Sequence, residues 1–167
     1  GGTGVTGGTG DTGGKGGNAS MTNTGAGTFT LSGIDTSGGA GGTGTGGDAG
    51  TITTSGTMTL GGKTNSSGGA GATEGTGGAV NFNGPIVLNG NRTVTTGTGP
   101  SGNISFGSTI DADAAANNRT LTLNSGNTGT ISVTGNVGSA QPLAALNITN
   151  SNGATFTGSV DVTAATG

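Results

Sequence analysis

The side chains best equipped for chemistry lie in one short stretch, at Asp111, Asp113, Asn117, Asn118 and Arg119. Carboxylate and amide oxygens are the ligands a hard cation such as Ca²⁺ prefers. Two carboxylates beside a guanidinium are also a minimal kit for acid–base cleavage of a polysaccharide. Neither pattern is completed. The EF-hand spacing is absent, as is the glycine–aspartate nonapeptide of calcium-binding β-rolls, and Arg119 is the only basic residue nearby. The stretch reads as a solvated loop, and the chain is expected to hold no catalytic, cofactor-binding or metal-ligating residue.

Composition removes most other chemistry. The 167 residues include no His, Cys, Trp or Tyr, which excludes the usual neutral-pH proton shuttle, a zinc site of ordinary ligands and a thiolate nucleophile. Glycine strings such as Gly1-Gly2-Thr3-Gly4 and Gly41-Gly42-Thr43-Gly44 look like phosphate loops. They lack the Gly-Lys-Ser/Thr end and the flanking strand and helix that would aim amides at a phosphate. A net charge of −3 leaves no basic stripe for nucleic acid. No run approaches the roughly 20 apolar residues a membrane-spanning helix needs, so no membrane insertion is expected. The chain opens on Gly1 without an initiator Met, as a fragment or processed unit would. Asn-x-Ser/Thr sequons at Asn18, Asn65, Asn91, Asn103, Asn118 and Asn147 are what so much Asn, Ser and Thr produces by chance.

The elements follow from glycine and from short apolar alternations. Forty-three residues are Gly and only 27% are hydrophobic, so a thick core is out of reach. Collagen is excluded because glycine does not fall at every third position. Low charge and the regular return of aliphatic residues argue against disorder. Ala19, Ala49 and Ala79 follow glycine-rich runs at equal intervals and suggest a repeat of about 30 residues through 1–100. After each comes a first apolar position, at Met21, Ile52 and Phe82. A second run follows: Phe29 and Leu31, Met58 and Leu60, Ile86 and Leu88, each pair two apart and so on one strand face. From 101 to 167 the period-two signal is cleaner, at Ile104 to Phe106, Leu121 to Leu123, Ile131 to Val133, Leu146 to Ile148 and Phe156 to Val162. The segment Asp111 to Ala116 has helical propensity but is too short for a helix. Four Phe and no larger aromatic cannot fill the ~10 Å gap of a β-sandwich, whereas a narrow lumen is filled by Val, Ile, Leu and Ala. The expected fold is all-β, a parallel β-helix (β-solenoid) with glycine-rich turns, continuous through both halves and able to extend into fibres.

The C-terminal cadence carries a family likeness. Gly129, Ile131, Val133, Gly135, Val137, Gly138, Pro142, Leu143, Leu146 and Ile148 stand in a pattern that resembles the giant bacterial β-strand-repeat surface proteins of the filamentous-haemagglutinin and autotransporter-adhesin kind. That resemblance covers 102–162 best. It implies a right-handed parallel β-helix at the cell surface and carries no active-site motif. The expectation is a structural segment of an extracellular adhesin or filament, a non-enzymatic rod. Its expected partners are copies of itself or adjacent repeats, with host-surface or matrix glycans as further candidates. Two alternatives have their own residues. Threonine pairs at 28/30, 51/53, 57/59, 120/122 and 155/157 could align into ice-matching hydroxyl rows, and a β-helix could bind or process polysaccharide through Asp111 and Asp113.

Overall fold

The computed structural model describes residues 4–6 and 10–163, which coil into a parallel β-solenoid of about four complete turns. The first turn holds β1 (Ala19–Thr22), β2 (Phe29–Leu31) and β3 (Ile34–Asp35). The second holds β4 (Ile52–Ser55), β5 (Met58–Leu60) and β6 (Thr64–Asn65), and the third β7 (Val80–Phe82), β8 (Ile86–Leu88) and β9 (Arg92–Thr95). The fourth holds β10 (Ile104–Phe106), β11 (Ile110–Ala112) and β12 (Thr120–Asn124), followed by β13 (Ile131–Val133), β14 (Ala145–Asn150) and β15 (Ala154–Phe156). Like-placed strands stack into three faces, β1-β4-β7-β10-β13-β15, β2-β5-β8-β11 and β3-β6-β9-β12-β14. The strand pairs of all three faces are parallel. Beyond β11 the second face continues through single bridges from Ile110 to Val137 and from Val137 to Val160.

Alternation decides which side chains enter. In β5, β7, β8, β10 and β11 the outer residues of each triplet are buried and the middle one is not, as period-two geometry requires when one face is the lumen. Parallel, in-register pairing then stacks like on like. Ile52, Val80, Ile104 and Ile131 form one ladder, and Leu31, Leu60, Leu88 and Ala112 another. Phe82 lies on Phe106 with ring centroids 5.1 Å apart. The aliphatic residues expected inside are buried from Leu31 through Leu143, whereas Ile148, Val160 and Val162 in the last turn are exposed.

The register corrects the repeat inferred from alanine spacing. Ala19 lies within β1 and pairs with Ile52, whereas Ala49 and Ala79 precede β4 and β7. Met21 accordingly shares a column with Thr54, on which it stacks, and with Phe82 one turn further on, not with Ile52. On this face, polar contacts between successive turns span 33, 28, 24 and 27 residues. The glycine segments between turns vary in length, so equal spacing in sequence does not mean equal place in the coil. The second-run pairs need no correction, since Phe29, Met58 and Ile86 are in register, as are Leu31, Leu60 and Leu88. Of the stretch Asp111 to Ala116, β11 takes the start and a single 3₁₀ turn, Ala115–Asn117, the end.

Thr54 and Thr64 break the apolar pattern of the ladders, and the Thr54 hydroxyl bonds to Met58 Sδ at 3.3 Å. Thr64 is fully buried between Ile34 and Val94 in its ladder, and its hydroxyl has no hydrogen-bond partner. A buried unsatisfied hydroxyl costs about 1–3 kcal/mol. Thr64→Val keeps the shape and removes the orphan, so chemical denaturation should show stability rising by about 1 kcal/mol or more. A loss of stability would mean that the hydroxyl has a partner after all.

Candidate functional site

The acidic stretch is a clamped loop. Asp113, just past β11, takes a two-pronged contact from Arg119, Nε to Oδ1 at 2.8 Å and Nη2 to Oδ2 at 2.8 Å. Oδ1 also accepts the Asn117 side-chain amide at 3.1 Å and the Ala114 N–H at 3.0 Å. Asp111 points elsewhere: its Oδ1 accepts the backbone N–H groups of Ala140 (2.8 Å) and Gln141 (3.2 Å) in the next turn. Asn118 closes the 3₁₀ turn in the left-handed region at φ 49°, a conformation Asn tolerates better than most residues. The two carboxylates thus work separately, one holding its own loop and the other tying two turns together. No group of three or more His, Cys, Asp or Glu suited to a metal occurs among the described residues.

The glycine-rich half supplies the most distinctive geometry. Where the third face turns into the first, a hydroxyl closes the corner onto a glycine carbonyl. Thr36 reaches Gly50, Thr96 reaches Gly102, Ser125 reaches Gly129 and Ser151 reaches Gly153, over 14, 6, 4 and 2 residues. Ser66 occupies the same corner and donates to the same Gly50 oxygen as Thr36. The corner therefore tapers along the axis, from long glycine excursions to tight turns.

In the long excursions the chain forms flattened hairpins with a period of three. Gly47 N–H meets Gly39 O and Gly50 N–H meets Thr36 O; one layer on, Gly75 meets Gly69 and Gly78 meets Ser66. Contacts between layers keep the same step. Gly13 and Gly16 donate to Thr45 and Asp48, Gly38 and Gly41 to Ser67 and Ala70, and Gly46 and Ala49 to Thr73 and Thr76. A bond to the same neighbour at every third residue is the repeat of an extended polyproline II-type helix. Through the middle runs an unbroken relay of amide bonds from Gly75 to Gly69, Gly47, Gly39, Gly14 and Val5, each 2.8–2.9 Å. A Cβ on Gly39 would overlap the Val5 carbonyl, one on Gly69 the Gly39 carbonyl and one on Gly47 the Gly14 carbonyl. Glycine is required here for close approach. Gly41 to Gly44 forms a tight turn closed by Gly44 N–H on Gly41 O, with Gly10 N–H bonded to the Thr43 hydroxyl. Those amides hold backbone in place and do not form a phosphate cradle. Gly1 to Thr3 of the first glycine string lie outside the described residues.

The threonine pairs do not stack into one surface. Thr30 sits on Thr59, but Val87 and Asp111 follow in that row. Thr53 lies between Ser20 and Asn81, Thr155 beside Ser132, and Thr122 between Thr93 and Asn147. Several sequon asparagines work as staples instead: Asn18 accepts Thr51 N–H at 2.8 Å, Asn91 accepts Thr120 at 3.0 Å and Asn103 accepts Thr130 at 2.9 Å. Asp48 does the same for Thr76 at 3.0 Å. That backbone bond is the main reason its carboxyl is held below the ordinary value, against an opposing effect of burial and with Lys15, 3.4 Å away, adding to it. The staples and the corner hydroxyls escaped the sequence reading. Their signal was present in Thr36, Ser66 and Thr96, each just after an Asp, Asn or Thr and soon before glycine.

No protein-family model, curated protein or solved structure matches this chain.

Two outcomes test this geometry. Gly47→Ala forces backbone apart inside the glycine bundle, an overpacking cost of about 1–3 kcal/mol. Hydrogen exchange at Gly39, Gly69 and Gly75 should speed up while Val80 and Ile104 stay protected; uniform loss would show that bundle and solenoid unfold as one unit. The second concerns Asp113, whose carboxyl the Arg119 hydrogen bonds pull well below the ordinary carboxylate range against an opposing effect of desolvation, with Asn117 and Ala114 assisting. A depressed folded-state pKa means the clamp's contribution is complete above about pH 4 and fades only as pH falls through the lower folded value. A carboxyl titration by NMR should place the Asp113 midpoint clearly below that of a free Asp, and a midpoint at or above it would contradict the clamp.

Proposed function

We propose that this chain is a structural segment of an extracellular bacterial surface adhesin or filament, a rod-like scaffold without catalysis. The observation carrying this reading is the lumen: it is filled by stacked side chains from turn to turn, so the coil can lengthen by adding turns without needing a new core. The few charged groups support the same view. Asp111 and Asp48 accept backbone amides across turns, and Asp113 is held by Arg119. A surface dominated by small uncharged side chains suits a spacer exposed outside the cell, and the resemblance of the C-terminal cadence to surface-repeat proteins points the same way. The ice-binding alternative draws less from the geometry, because threonine rows break off after two members among the described strands. The polysaccharide alternative loses its acid–base pair, since Asp111 and Asp113 serve different structural contacts.

Circular dichroism and limited proteolysis of the purified chain should show a β-rich, protease-resistant unit. It should release no sugar from polysaccharides and cause no thermal hysteresis in ice. Rapid proteolysis, sugar release or hysteresis would each overturn the scaffold reading.

A further inference from the structure

We propose that the glycine bundle carries a binding ledge along the hairpin Ser66 to Gly78, which takes one extended, glycine-rich polyproline II segment supplied by a partner chain. This goes beyond the scaffold reading and does not depend on it.

The ledge arises from a step between successive connections of the coil. Thr36 to Gly50 and Ser66 to Gly78 each run out into a flattened hairpin, whereas Thr96 to Gly102 is a tight turn. The two hairpins correspond residue for residue, since Gly47 on Gly39 and Gly50 on Thr36 in one match Gly75 on Gly69 and Gly78 on Ser66 in the other. Gly38, Gly41 and Gly46 are therefore the counterparts of Gly68, Gly71 and Glu74. In the first hairpin these three N–H groups donate to the carbonyls of Ser67 (3.0 Å), Ala70 (2.7 Å) and Thr73 (2.8 Å) in the second. In the second hairpin the N–H groups of Gly68, Gly71 and Glu74 have no acceptor among the described residues. The bonds on either side are made, from Ser66 to Thr95 and from Gly77 to Pro100. Only the middle of the row is open. The cause is local: Gly97, at φ 114° and with its N–H on the Thr95 hydroxyl at 3.1 Å, turns the chain back where the two earlier connections continue outward. The step lies inside the chain, with β10 to β15 still to follow, so it does not come from where the sequence begins or ends.

The chemistry of the row selects its occupant. Gly68, Gly71 and Glu74 are half-buried, and a backbone N–H withdrawn from water without an acceptor is unfavourable. Donors three residues apart in a polyproline II chain are about 9 Å apart. A β-strand offers carbonyls along one edge at about 6.7 Å and falls out of step, and an α-helix has already used its carbonyls internally. A second polyproline II chain running parallel matches the row, as residues 66–73 do beneath the first hairpin. There the acceptors are Ser67, Ala70 and Thr73, with Gly68, Gly69 and Gly71 between them, so the fitting sequence alternates small residues with glycine. The Glu74 carboxylate lies against Gly99 and borders the ledge, which disfavours an acidic segment.

Titration of the isotope-labelled chain with a synthetic peptide copying residues 64–79, followed by amide NMR and hydrogen exchange, tests the ledge. The peptide should give saturable shifts centred on Gly68, Gly71 and Glu74 and slow exchange there several-fold, while Val80 and Ile104 stay unchanged. The same peptide with valine in place of its glycines copied from 68 and 71 should bind about tenfold more weakly or worse, because it can neither approach closely nor hold the extended form easily. Glu74→Pro removes one of the three donors without removing a bond inside the chain, so the fold should persist by circular dichroism while peptide affinity falls about fivefold or more. In a second variant, residues 68–75 are inserted a second time between Thr98 and Gly99, supplying the missing layer from the chain itself. It should protect the three amides without peptide and abolish peptide binding. Shifts that do not saturate or spread over the coil, unchanged exchange at the three amides, or equal affinity for the valine peptide and for the Glu74→Pro chain would each overturn the ledge.

Discussion

Everything in this molecule depends on one spacing. Parallel strands hydrogen-bond at about 4.7–4.9 Å, and a chain that coils at that pitch must place each inward side chain directly on its counterpart one turn away. The lumen is therefore a set of columns in which a wide residue needs either a partner that stacks flat or a narrower neighbour. Phe82 and Phe106 satisfy this by stacking on each other at 5.1 Å, between Thr54 on one side and Val133 on the other. Isoleucine and valine satisfy it by repetition, in the column from Ile52 to Ile131. A large core is unnecessary because each side chain is covered mainly by the turns above and below.

The glycine bundle obeys the same pitch without side chains. Its layers must follow the turns they interrupt, and only glycine lets the backbones meet closely enough for amides and carbonyls to pair in the hairpins and between layers. Each such bond contributes about 0.5–1.5 kcal/mol net, while ordering glycine costs more conformational entropy than ordering any other residue. A bundle of this sort has little to hold it alone. The corner hydroxyls of Thr36 and Ser66, both bonded to the Gly50 carbonyl, fix its base to the solenoid, so the coil sets the registry and the bundle inherits it.

Much of the coil was legible in sequence because period two is a local property. The pairs Phe29/Leu31, Met58/Leu60 and Ile86/Leu88 show their inward face within three residues, and the register follows once they are stacked. The alanine anchors misled because equal sequence distance tracks loop length as much as rung position, and here Thr36, Ser66 and Thr96 mark the corner while Ala19, Ala49 and Ala79 do not mark a common rung. Composition indicated that the glycine runs were not disordered, yet a three-residue step shared by separate segments appears only when those segments lie side by side. The clamp between Asp113 and Arg119 was hidden for another reason. Residues six apart meet there only because a single 3₁₀ turn, ending on left-handed Asn118, folds the chain back between two strands.

Scarcity of charge ties these features together. Charges are poor tenants of a narrow lumen, since desolvation would have to be offset by a partner at the same height, and none is among the buried residues. On the outside, like charges repeated at every turn would sit one strand spacing apart and repel. Neutral oxygen and nitrogen groups avoid both costs, and their repetition is an advantage. An amide or hydroxyl at the same place in successive turns can bond to the backbone of the next, as Asn18, Asn91 and Asn103 do. Carboxylates survive where the next turn supplies N–H groups to neutralise them, at Asp48 and Asp111, or where a cation lies within the same loop, at Asp113. The polar, glycine-rich composition follows from the coil: it is what remains when each position must be compatible with a copy of itself one turn away.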